Sequence, residues 1–98
     1  MLRIKQKIKE NFLRRLGAIL REHTITGVVN ALARTKYRIV IKYSTEGCAL
    51  VAKINIYFGI VLLDTMEKRF YVNHLSQYVS FDSLDIYIIK SLAKELPK

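Results

Sequence analysis

An α+β fold is predicted: one or two N-terminal helices, a three- or four-stranded antiparallel sheet, and a C-terminal helix packed on one face. Three observations carry it. Apolar residues recur about every four positions over residues 2–22, alternate at every second position from Lys36 to Phe58, and return to a spacing of four from Leu84 to Leu96. The 98 residues suffice for one hydrophobic core, so residues 1–98 are read as a single domain.

The first helix is expected over residues 2–22. Ile4, Ile8, Phe12, Leu16 and Leu20 form an apolar stripe widened by Leu13 and Ile19, while Arg3, Lys7, Arg14 and Arg21 form a row on the solvent side. After "HTITG", Thr24 or Thr26 can cap a short second helix whose apolar side is Val28, Val29, Leu32 and Ala33, although the β-branched run "TITGVV" also suits an extended segment. The period then becomes two. Tyr37, Ile39, Ile41 and Tyr43 share one face of a strand, and "STEGC" turns the chain. A second strand, Ala49 to Phe58, places Leu50, Ala52, Ile54, Ile56 and Phe58 together. Gly59 marks a bulge, bend or turn. Ile60 to Asp64 continues as strand, "TMEK" is expected to turn the chain, and Arg69 to about His74 returns. In "FDSLDIYIIKSLAKELPK", Asp82 or Ser83 is the expected N-cap, Leu84, Ile88, Leu92 and Leu96 the buried stripe, and Pro97 the stop.

Composition narrows the function classes. The chain is 51% apolar and 26% charged, which excludes a disordered chain. Cys48 is its only cysteine, so neither an intramolecular disulfide nor a Cys-based zinc site can form within it, and a cytoplasmic setting is expected. The longest apolar run, Cys48 to Leu63, is shorter than a membrane-spanning helix and contains Lys53 and Asn55, so no transmembrane segment is expected. The N-terminus lacks the apolar stretch and cleavage site of a secretory signal, and Glu10, Glu22 and the absence of serine count against a transit peptide. Seventeen Lys and Arg against eight Asp and Glu give a net charge of +9. That excess attracts polyanions: nucleic acid, an anionic membrane or an acidic protein.

Catalytic patterns are absent from the spacing. His23 and His74 lie in no motif, and Cys48, beside a turn and leading into an apolar strand, reads as a small core residue rather than an activated thiol. The carboxylates Glu46, Asp64 and Glu67 could serve a metal-dependent nuclease only if they converged, and as turn residues they are ordinarily solvated. Gly17, Gly27, Gly47 and Gly59 are scattered singly, so no phosphate-cradling loop exists. No cofactor or metal is expected, and the protein is read as non-catalytic.

The order of elements over residues 26 to 96 resembles a double-stranded-RNA-binding domain, but Asp82 and Asp85 stand where that family has its Lys-rich helix start. Residues 16–54 are similar to a winged helix, with one of three helices missing and a sheet too large for a wing. Neither family is adopted. The candidate nucleic-acid-binding residues are the cations at sites expected to face solvent, Arg34, Lys36, Arg38, Lys42, Lys53, Lys68 and Arg69, with Tyr57 on the face of Lys53. Cations beside an aromatic ring suit a surface that tracks a phosphate backbone, whereas the plainer alternative is the wet face of any antiparallel sheet. The expectation is a small basic protein binding nucleic acid through phosphates. The alternative is an accessory or inhibitory module docking its basic face on an acidic protein. A homodimer fits either, the run Ile54 to Leu63 being expected to leave an open strand edge.

Overall fold

A computed structural model describes residues 6–22, 24–71 and 81–98. Helix α1 (Gln6–Glu22) and helix α2 (Ile25–Ala33) precede strands β1 (Tyr37–Glu46), β2 (Ala49–Phe58) and β3 (Val61–Tyr71), and helix α3 (Phe81–Glu95) follows. The three strands form an antiparallel meander in the order β1-β2-β3. Thr24 is the N-cap of α2, its hydroxyl accepting the Gly27 amide at 3.2 Å, which resolves that segment as helix. Helix α3 begins at Phe81, ahead of both residues expected to cap it, so neither Asp82 nor Ser83 holds the N-cap. His23, His74, Arg3 and Ile4 lie outside the described residues.

Both hairpins turn on a glycine. Glu46 pairs with Ala49 and Phe58 with Val61, leaving two-residue loops, Gly47-Cys48 and Gly59-Ile60. Gly47 and Gly59 have φ of 61° and 63°, and no other described residue has positive φ. Positive φ at the first loop position alone is the II′ pattern, whose twist matches that of the flanking strands. Cys48 is therefore an exposed turn residue, not a core residue.

The expected turn at "TMEK" does not exist. β3 runs unbroken through Thr65 to Lys68, and the sheet has three strands. Ile56 pairs with Asp64 but Tyr57 with Leu62, so Leu63 is an extra residue, a β-bulge. The bulge reverses the alternation. Leu63 faces the core before it and Phe70 after it, both buried, with Val61 and Met66 packed alongside. Such a phase break in the apolar pattern looks like a turn in sequence, yet Thr65-Met66-Glu67-Lys68 contains none of the residues that favour one. The same register divides the run expected to leave an open edge: Ile54 to Phe58 lie in β2, which is central and paired on both sides, and Val61 to Leu63 lie in β3, an edge strand.

α1 and α3 cover one face. Leu13, Leu16 and Leu20 of α1 and Leu84, Ile88 and Leu92 of α3 form one cluster with Ala52, Ile54 and Ile56 of the central strand, joined by Leu96 just beyond α3 and by Val28 of α2. Ile8, on the expected stripe, is exposed. Gly17 permits close approach, since a Cβ there would lie 3.1 Å from that of Leu96. Two cations of the supposedly solvent-facing row act at this contact. Arg21 donates to the carbonyls of Ala93, Leu96 and Pro97 at 2.8, 3.4 and 3.3 Å, and Arg14 donates to the Lys98 carbonyl at 2.9 Å. They satisfy carbonyls that a helix C-terminus leaves without partners.

Polar contacts fix the register of helices on sheet. The Tyr37 hydroxyl donates to the Phe12 carbonyl at 2.9 Å, while Phe12 and Tyr37 both pack on Phe58. Burial raises the Tyr37 pKa, a rise the nearby Arg15 charge partly offsets. The Tyr43 hydroxyl donates to the Asp85 carboxylate, tying β1 to α3. Burial, then that bond, then the Asp85 charge push Tyr43 ionisation well above its usual range.

Ile54→Ala, at a position with 0% exposure, is expected to cost about 2–5 kcal/mol in urea denaturation. Ile60→Ala, on a loop tip 89% exposed, should change stability by less than about 0.5 kcal/mol. Tyr43→Phe should cost about 1–3 kcal/mol at pH 8, because it deprives the partly buried Asp85 carboxylate of a donor. Tyr43 ionises more readily in the unfolded chain than in the folded one. Its contribution is therefore complete below about pH 10 and shrinks as pH rises past that value toward the folded pKa. Urea titrations at pH 8 and pH 11 should show the gap between wild type and Tyr43→Phe narrowing.

Candidate nucleic-acid interface

With α1 and α3 packed against Ile54 and Ile56, the other face of the sheet carries the alternate residues. Across β1 and β2, Arg38 stands opposite Tyr57, Val40 opposite Asn55, Lys42 opposite Lys53 and Ser44 opposite Val51. Across β2 and β3, Tyr57 meets Leu62, Asn55 meets Thr65, Lys53 meets Glu67 and Val51 meets Arg69. Arg38, Lys42, Lys53 and Tyr57 thus share a face as the alternation predicts. Val51 and Ala49 are buried on this face too, outside the main core.

Two features stand out. The Arg38 guanidinium lies over the Tyr57 ring, 4.9 Å from its centroid, a contact worth about 0.5–1 kcal/mol at an exposed site. Two pleat repeats further along, past Val40 and Asn55, the exposed Lys42 and Lys53 face each other directly. Like charges in this position repel and destabilise the pairing. The ion pairs among the described residues are Lys9–Asp64 at 3.7 Å, Lys68–Glu95 and Arg69–Glu46 at 3.1 Å, so neither lysine is neutralised by one.

The remaining candidates separate. Arg69 points to the open face but is bound to Glu46. Lys68 lies on the opposite face, where it pairs with Glu95 of α3; its exposure was expected from a turn at "TMEK" that β3 does not make. Arg34 is the exposed C-cap of α2, and Lys36 is exposed in the bend before β1, its carbonyl accepting the Gly59 amide at 2.8 Å. These two border the Arg38 end of the face. The sequence reading missed Leu62, Thr65 and Tyr71, which join the open face on either side of the bulge. Thr65 donates to the Asn55 side chain at 3.0 Å, and Leu62 is half exposed. Two apolar residues in succession, Leu62 and Leu63, were the available signal, since strict alternation cannot bury both on one side.

Carboxylates are dispersed. Asp64 pairs with Lys9 and Glu46 with Arg69, and among the described residues no three His, Cys, Asp or Glu side chains come together. No described helix is long and apolar enough to cross a membrane. Comparison with known proteins returns no match among family models, curated proteins or solved structures.

The Lys42–Lys53 pair is a local cost to the fold. Lys42→Glu, which replaces repulsion by a cross-strand ion pair, is expected to raise stability by roughly 0.2–1 kcal/mol, read as a higher urea midpoint with an unchanged denaturant slope.

Proposed function

We propose that this protein binds nucleic acid through the phosphate backbone, using the open sheet face, and that it is not an enzyme. The observation that supports this reading is the Lys42–Lys53 pair, two adjacent cations without an ion-pair partner among the described residues. A phosphate between them would relieve their repulsion and release counterions. Arg38, over the Tyr57 ring and donating to the Gly59 carbonyl at 3.5 Å, offers a planar cation for a second phosphate or a base. The face is a sheet surface, which suits a polymer laid across it, and its cations sit at strand positions that need no rearrangement to bind.

One observation favours a second reading. Leu62, half exposed beside Tyr57, adds apolar area to the same face, and a cationic surface with an apolar margin also fits an acidic protein. Leu62→Ser separates the two, since it should weaken a protein partner and leave phosphate contacts unchanged.

The test is fluorescence anisotropy with a labelled oligonucleotide across a salt series. Affinity should fall with a log–log slope of about −0.7 to −0.9 per phosphate neutralised. Lys42→Gln with Lys53→Gln should weaken binding and reduce that slope by roughly 1 for each lysine in contact with phosphate. Lys7→Gln with Arg15→Gln removes the same charge from exposed positions of α1 and should have a clearly smaller effect. Equal losses from the two pairs, or no binding at low salt, would count against the sheet face as the site.

A further inference from the structure

The sheet face accounts for only part of the charge. A second group of cations surrounds a cleft of about 690 Å³ between the C-terminal half of α1, the start of α2 and the C-terminal half of α3. Its apolar lining is Leu20, which belongs to the core, with Ile89 and Ala93, which are half-buried against that core. Its charged lining includes Lys90, Lys94 and Lys98, with no acidic residue among the described residues that line it.

Several physical features converge on one ligand chemistry. Lys90 and Lys94 are four apart on α3, so they are neighbours on one helix face and repel each other. Of the acids of α3, Asp85 is bonded to the Tyr43 hydroxyl and Glu95 to Lys68. Arg21 also lines the cleft, but its terminal nitrogens are bound to the carbonyls at the end of α3, so it serves as a fixed wall. Thr24, the N-cap of α2, completes the lining and brings the positive end of that helix dipole to the cleft. The volume falls within the range of about 300–1,000 Å³ typical of pockets for small molecules. A purely ionic ligand would leave Leu20, Ile89 and Ala93 uncovered. A purely apolar one would leave the lysines repelling each other.

We infer that this cleft binds a small amphipathic anion, an apolar chain or ring bearing one carboxylate, sulfonate or phosphate. Its body lies on Leu20, Ile89 and Ala93, and its charged head lies among Lys90, Lys94 and Lys98. The site is separate from the sheet face and stands or falls independently of the nucleic-acid reading.

Decanoate is the probe, titrated into the full chain with methyl NMR as the readout, at concentrations where the core signals of Ile54 and Ile56 do not move. The expected result is saturable shifts at Leu20, Ile89 and Ala93, with decanol and inorganic phosphate each binding at least ten-fold more weakly. Lys90→Gln with Lys94→Gln, at two exposed positions that do not enter the core, should weaken decanoate at least five-fold and leave oligonucleotide binding unchanged. Ala93→Leu should block decanoate with the lysines intact; if that variant misfolds, the lysine variant decides alone. Decanol binding as well as decanoate, phosphate alone producing the same shifts, or decanoate binding unaffected by the lysine substitutions would each overturn the inference. So would an acidic amphipathic peptide that occupies the cleft when decanoate does not.

Discussion

One inserted residue keeps the core of this sheet continuous. β3 must place apolar side chains under the helices along its whole length, yet its apolar residues fall at odd positions up to Leu63 and at even positions from Met66. A regular strand would expose one set. The bulge opposite the Ile56–Tyr57 step changes the phase, so both sets reach the same side. The face that α1 and α3 cover depends on this correction, and so does the identity of the opposite face, because the bulge sends Arg69 to the open side and Lys68 to the covered one.

Legibility followed from how local the governing physics was. The stripes of α1 and α3, the faces of β1 and β2, and the first hairpin are set by residues close in sequence, and periodicity revealed them. The grouping of Arg38, Lys42, Lys53 and Tyr57 on one face followed from alternation alone. What periodicity missed was set by pairing between distant residues. Lys68 is held by Glu95, 27 positions away, and Arg21 by carbonyls more than 70 positions away. A cation in an amphipathic pattern reads as solvated whether or not a helix terminus lies within its reach. Cys48 was misplaced for a simpler reason: a two-residue loop led by Gly47 leaves it on the turn, one position before the strand.

The fold also sorts the cations by what they do. Lys9, Lys68 and Arg69 hold acids, and Arg14 and Arg21 hold the end of α3. These charges have partners within the fold. Lys42 and Lys53 close no ion pair among the described residues, although Glu67 of β3 stands opposite Lys53. Their juxtaposition opposes the strand pairing that creates it, and a position where a neutral or acidic residue would serve the fold better is where a function-directed choice is legible against a structural one.

Shape then separates the two cationic regions that remain. On the sheet, cations project from a pleated surface whose neighbours are Val40, Asn55 and Thr65, and a ligand gains most there by touching several widely spaced points, as a polymer does. Between the helices, Lys90 and Lys94 stand beside a concavity lined by Leu20, Ile89 and Ala93, and a ligand gains most by burying apolar surface while keeping one charge at the rim. The same net charge of +9 therefore does not describe one diffuse attraction. Long-range steering is common to both regions, since the field of the whole chain draws any anion inward. Under the two proposals, discrimination would arise at contact, the sheet favouring repeated charge without apolar bulk and the cleft favouring apolar bulk with a single charge.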